Sequence, residues 1–141
     1  MWADTLLAAE RAHVIRLLVW GGGSIVIGTA VLAWLHAGRR RSALVAHFGI
    51  QTAAWGTLEV ALGALLHASL AMRDLAGATR LDRLLWFNVG LDAGYVLVGL
   101  TLLVTAWRLR RLGLAGAGLA VVVQGIALAL LDLLLAAQIS R

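Results

Sequence analysis

The chain has 141 residues, 62% hydrophobic and 13% charged, and its mean hydropathy is +0.92. Ordinary soluble domains carry about 25% charged residues, so this composition is that of a membrane protein with no room for a soluble domain. All 12 basic residues behind the net charge of +5 are arginine, and cysteine is absent, which excludes disulfides, thiolate metal sites, iron–sulfur clusters and thiol catalysis.

The opening stretch, MWADTLLAAERAHVIRLL, has no basic region before its first apolar residues and no prompt small-residue cleavage site. It is therefore expected to belong to the mature chain rather than to a signal peptide. Asp4, Glu10, Arg11 and His13 make no clean polar face, which favours an extension of the first span over a helix lying in the interface.

Runs of 18 or more apolar residues read as transmembrane helices, because about 20 residues at a 1.5 Å rise cover the roughly 30 Å hydrocarbon core. Four such runs are predicted, near 16–37, 43–72, 84–107 and 112–139. The expected object is one transmembrane domain over residues 1–141, an all-α four-helix bundle. In the first span Trp20 and Trp34 lie toward the two ends, and in the third Trp86 and Trp107 stand roughly 31 Å apart along a helix. Trp55 falls well inside the second span, where it is expected to pack against another helix or line a site.

Arg39, Arg40 and Arg41 lie between spans one and two, and Arg108, Arg110 and Arg111 between spans three and four. Neither short loop holds an acid. The other side carries Arg11, Arg16, Arg73, Arg80, Arg83 and Arg141, mixed with Asp4, Glu10, Asp74 and Asp82. Arginine dense in short loops beside span ends marks the cytoplasmic face. The sequence thus predicts a multi-pass protein of the bacterial inner membrane with both termini outside. No long basic surface lies outside the spans, so nucleic acid is not an expected partner.

The chain reads as a two-helix unit used twice. GSIVIGTAVLAWLHA from Gly23 aligns without gaps on GYVLVGLTLLVTAWR from Gly94, and QTAAWGTLEVAL from Gln51 on QGIALALLDLLL from Gln124. Gly28 then matches Gly99, Gln51 matches Gln124, and Glu59 matches Asp132. Any two Ala/Leu/Gly-rich helices align somewhere; a Gln and an acid eight residues apart in both even-numbered spans is harder to ascribe to composition. Two spans per unit give a parallel duplication. Small residues occur in every span, with Gly90 and Gly94 as a G-x-x-x-G pair, and close backbone approach through them is expected to hold the bundle or a homodimer together.

Glu59, Asp92 and Asp132 each sit within a span, at roughly 2.5–3.5 kcal/mol apiece on the insertion scale. None is expected to face lipid. All three fall in the outer half, and Asn88, Asp92, Tyr95 and Gly99 share one stripe of the third span. Buried acids need a proton, a bound cation or an arginine such as Arg16, Arg73, Arg80 or Arg83 to offset them. Two readings remain open. A knot of Gln, Asn, Tyr and protonated acid locks helices together; alternatively, Glu59, Asp92 and Asp132 bind a proton or cation, with Gln51, Asn88, Tyr95 and Gln124 as hydrogen-bonding groups.

Other chemistry has less support. His36 and His47 flank the first arginine loop, while His13 and His67 belong to the outer side, and haem ligation would need an imidazole facing a pocket. VGLDAG around Asp92 lacks the G-x-G-D text of intramembrane aspartyl proteases. No Ser/His pairing, phosphate-binding glycine loop or metal motif is present, so neither an enzyme nor a cofactor is expected.

The text F-N-x-G-L-D-x-G-Y, here Phe87, Asn88, Gly90, Leu91, Asp92, Gly94 and Tyr95, and Q-G…D, here Gln124, Gly125 and Asp132, resembles an uncharacterised family of small bacterial four-span membrane proteins. That resemblance implies the four-helix fold and no named activity. The family's second span carries Asn or Asp after the Trp, where this chain has Glu59. The expected function is proton- or cation-coupled transport of a small solute. The alternative is a non-catalytic subunit of a larger membrane complex.

Overall fold

A computed structural model describes residues 2–139 as four helices: α1 (Trp2–Ala37), α2 (Ala43–Ala68), α3 (Leu75–Leu109) and α4 (Leu112–Ile139). Arg141 of the expected outer side lies outside the described residues. Helix α1 absorbs the polar opening stretch as an extension of the first apolar run. Helix α3 begins well before residue 84, because Asp74 caps it: its Oδ1 accepts the Gly77 N–H at 2.7 Å. Helix α2 stops at Ala68 rather than near 72. Helices α1, α3 and α4 are long and apolar enough to cross a membrane, whereas α2 is not among them. Gln51, Glu59, His47 and His67 dilute its apolar run.

The two arginine loops are built alike. Arg39 and Arg110 both adopt the left-handed region, at φ 49° and 52°. The next N–H in each loop, of Arg40 and Arg111, donates to Leu35 O and Ala106 O at 3.0 Å in both cases. Each is a Schellman cap that satisfies otherwise orphaned helix carbonyls.

The helices form two hairpins, α1 with α2 and α3 with α4, joined because α4 packs on α2 and more briefly on α1. Helix α3 makes close backbone contact only with α4, and the backbones of α2 and α3 nowhere come close. The buried stripes follow from this. On α3 the buried residues are Ala78, Leu85, Asp92, Gly99 and Ala106, one in every seven, the narrow seam of a helix with one neighbour. Helix α4, touching three neighbours, buries Gly116, Gly118, Ala120, Val121, Gln124, Gly125, Asp132, Leu135 and Ala136.

Glycine permits the close crossings. A Cβ on Gly56 would stand 2.5 Å from Gly21 O, and one on Gly99 2.8 Å from Gly118 O. The hairpins make matching contacts: Gly28 faces Gly49 as Gly99 faces Gly118, and Gly56 meets the Gly21 carbonyl as Gly125 meets that of Asp92. In this register Gly56 corresponds to Gly125, about one turn away from the pairing of Gln51 with Gln124 and of Glu59 with Asp132. The G-x-x-x-G pair behaves otherwise than expected. No heavy atom comes within 4 Å of a Cβ built on Gly90 or Gly94, so within the chain this pair packs nothing. It lies off the α3 seam.

Candidate functional site

Because α2 and α3 stand apart on either side of α4, a cleft remains between them. Its cavity, about 190 Å³, is lined by Trp55 and Glu59 of α2, Asn88, Asp92 and Tyr95 of α3, Asp132 of α4 and His13 of α1. Each side chain arrives by the periodicity of its helix. Glu59 occupies the stripe Gly49, Thr52, Gly56, Glu59, Gly63. Asp92 occupies the α3 seam. His13 lies on the α1 stripe that runs through Leu6, Glu10, Leu17, Gly21, Ser24 and Gly28. One wall is closed by Trp55 against Tyr95, edge to face at 4.9 Å between ring centroids.

All three acids are buried, and among the described residues no arginine is paired with any of them. Neither carboxylate oxygen of Glu59, nor Oδ2 of Asp92, has a hydrogen-bond partner. The Trp20 indole lies within reach of Glu59, but its N–H bonds to Gln124 Oε1 at 2.6 Å. Asp92 and Asp132 are close enough to act on one another electrostatically, and Asn88 is within reach of Asp132.

His13 adds chemistry that composition alone did not single out. Its Nδ1 stands 3.3 Å from the Leu131 carbonyl oxygen, and Nε2 stands 3.4 Å from Asp132 Oδ1. A carbonyl only accepts, so Nδ1 carries the donated proton, and in a neutral ring Nε2 is then bare. The Nε2 contact with Asp132 becomes a hydrogen bond when one more proton resides on the imidazole or on the carboxyl group.

A second, smaller cavity of about 140 Å³ adjoins the first, sharing His13, Leu66 and Asn88, and reaches the terminus end of the bundle. At its wall Glu10 accepts two hydrogen bonds from Arg73, at 2.6 and 2.8 Å. The hydrogen bond to Glu10, aided by the Glu10 charge and opposed by burial, leaves the Arg73 guanidinium above its usual pKa. Arg73 thus serves Glu10, Arg80 and Arg83 are exposed, and Arg16 points elsewhere, between α1 and α4.

Of the residues singled out from sequence, the cleft unites Glu59, Asp92, Asp132, Asn88 and Tyr95. Gln124 lies outside it: fully buried, it accepts from Trp20 and its Nε2 donates to Ser24 Oγ at 3.0 Å, tying α4 to α1. Gln51 lies near the arginine-loop end, in a groove of about 620 Å³ with His47, Arg110 and Arg111. Arg39, Arg40, Arg41, Arg108, Arg110 and Arg111 are all exposed at that end, and Arg40 lies over the Trp34 ring at 4.6 Å. His67 is exposed. Among the described residues no three His, Asp or Glu side chains are grouped closely enough to hold a metal ion. Glu10 and His13 were missed because their partners, Arg73 and Asp132, are remote in sequence; their shared spacing with Leu6 and Leu17 was the available signal.

Residues 16–133 match the model of a family described as a family of unknown function (DUF6992), and the chain belongs to that family. No curated protein and no solved structure matches it.

Proposed function

We propose that this member of the family is a small integral membrane protein whose cleft binds and releases protons to drive movement of a small solute or cation. One observation carries the reading. Glu59 and Asp92 present buried carboxylate oxygens with no hydrogen-bond partner to a shared cavity. A purely structural knot would use those oxygens to tie helices together, as Gln124 does. Left unpartnered, they cost stability, which favours a site completed by a proton, a cation or a solute. The nearness of His13 to Asp132, where a single added proton would make a hydrogen bond, supports protons as the coupling species, and the absence of a close metal-binding group among the described residues disfavours a bare multivalent ion. The adjoining cavity gives the route: past Glu10 and Arg73 at the mouth, between His13 and Asn88, to the acids.

In this reading α2 spans the membrane beside its three more apolar neighbours, and its Glu59 face is sheltered by α1 and the cleft. Both arginine loops face the cytoplasm of a bacterial inner membrane, and the termini and the mouth face outward. The matching Schellman caps and glycine crossings support an ancestral two-helix unit used twice in parallel, with the acids displaced by a turn between copies. The free face at Gly90 and Gly94 favours a second reading, in which α3 docks on a second copy or on another subunit as part of a larger complex.

The deciding measurement is pH-gradient-driven flux in proteoliposomes. Asp132→Asn, Asp92→Asn and Glu59→Gln should each slow it by roughly tenfold or more, about 1.4 kcal/mol at the limiting step. Equal flux in wild type and all three variants would sink the transport reading. Persistent co-purification of other subunits would then favour the accessory role.

A further inference from the structure

A second groove, about 430 Å³, runs between α1 and α4, where these helices meet only briefly and α2 reaches its floor through Phe48 and Thr52. Its walls are Ile15, Val19, Ile27, Val123 and Leu131. Three of the polar groups at its base, Trp20, Gln124 and Ser24, are joined by hydrogen bonds. Arg16 is the one charged group in the lining. Its Nη1 is buried with no acceptor, among the described residues no acid pairs with it, and the rest of the side chain is half-exposed at the groove.

The position of Arg16 along α1 identifies the missing anion. About 20 residues counted from Ala37 cover the roughly 30 Å hydrocarbon core. That places Arg16 at the headgroup boundary on the terminus side. From there to Ile27 the groove extends roughly 16 Å at 1.5 Å per residue, about half a bilayer. A cation at phosphate depth above an apolar channel one leaflet long matches a single amphiphile.

We propose that this groove holds one acyl chain of an anionic phospholipid, whose phosphate pairs with Arg16. The site rests on the membrane placement but not on transport. Guanidinium is suited to phosphate through its planar fork of donors. The lipid would cover the brief contact between α1 and α4.

Native mass spectrometry of the purified chain, titrated with phosphatidylglycerol or phosphatidylcholine, tests the site. The wild type should keep one phosphatidylglycerol in preference to phosphatidylcholine. Arg16→Gln should reduce that preference by roughly fivefold, the worth of one arginine near an anionic surface. Gly23→Leu should reduce retention of both lipids, because Gly23 lines the groove and a Cβ there meets nothing within 4 Å, so the fold accommodates the change. Arg11→Gln, an exposed control on the same helix, should behave as wild type. No preference in the wild type, a preference intact in both groove variants, or a dimer that excludes lipid would overturn the proposal. Flux measured on the same variants separates it from the acid cleft: loss of lipid selectivity with normal flux keeps both readings, and normal selectivity with no flux removes transport alone.

Discussion

Gln124 and Asp132 are both polar residues of one helix, eight positions apart, yet they hold opposite kinds of environment. Gln124 has its amide satisfied on both sides, by Trp20 and Ser24. Replacing it with Leu should lower stability by about 1–2 kcal/mol, the worth of side-chain hydrogen bonds between membrane helices, read as a lower melting temperature in detergent with flux retained in the folded fraction. Asp132 has only His13 and a reachable Asn88, so His13→Asn should mimic Asp132→Asn in flux, with a lower melting temperature from the lost bond to Leu131. At the mouth, Arg73→Gln should destabilise by about 1–3 kcal/mol, because it strands a buried Glu10, and the combined Glu10→Gln, Arg73→Gln chain should recover much of that loss in the same melt. The cost of burying charge made Glu59, Asp92 and Asp132 legible from sequence alone. It did not reveal Glu10 or His13, which stand near the chain start among polar neighbours and owe their burial to partners far along the chain.

Helices were legible because apolar runs of membrane length leave few alternatives, and the short arginine loops fixed three of their ends. Capping chemistry decided where the runs and the helices part company: Asp74 starts α3 several turns before the apolar text begins. Glycine spacing was a poorer guide. G-x-x-x-G at Gly90 and Gly94 advertises a contact that this chain does not make, while Gly56 and Gly99, at less conspicuous spacings, sit at carbonyl contacts. The reason is angular: only glycines on the stripe facing a neighbour can serve, and that stripe is set by tertiary packing. Gly56→Ala should cost about 1–3 kcal/mol through overpacking against Gly21. Gly90→Ala should be neutral or stabilising by up to about 1 kcal/mol, from helix propensity alone. A thermal melt of the two variants side by side checks the contrast, and equal losses would contradict the packing described.

Taken as a whole, the molecule is two hairpins hung on one helix, with a gap where α2 and α3 would otherwise meet. Leu58 and Leu91 line that gap from its two sides. Since the chain has no cysteine, Leu58→Cys with Leu91→Cys gives a clean pair for a short bifunctional maleimide. Bridging them should arrest flux if the walls move during turnover, and each single variant treated with the same reagent should stay active. The general bundle was foreseeable from four apolar runs. The gap was not, because no residue pattern announces which pair of helices keeps its backbones apart.

Helix α4 is also the one made after the other three. As the chain emerges during synthesis, α1 and α2 can zip together at once, but α3 meets no close backbone partner until α4 follows. Assembly of this half therefore waits on the ribosome finishing α4, and in that interval Asp92, whose place is the α3 seam against α4, lacks its seam partner. A chain halted after Leu109 would be expected to leave α3 open to quality-control proteases, while its α1–α2 hairpin survives.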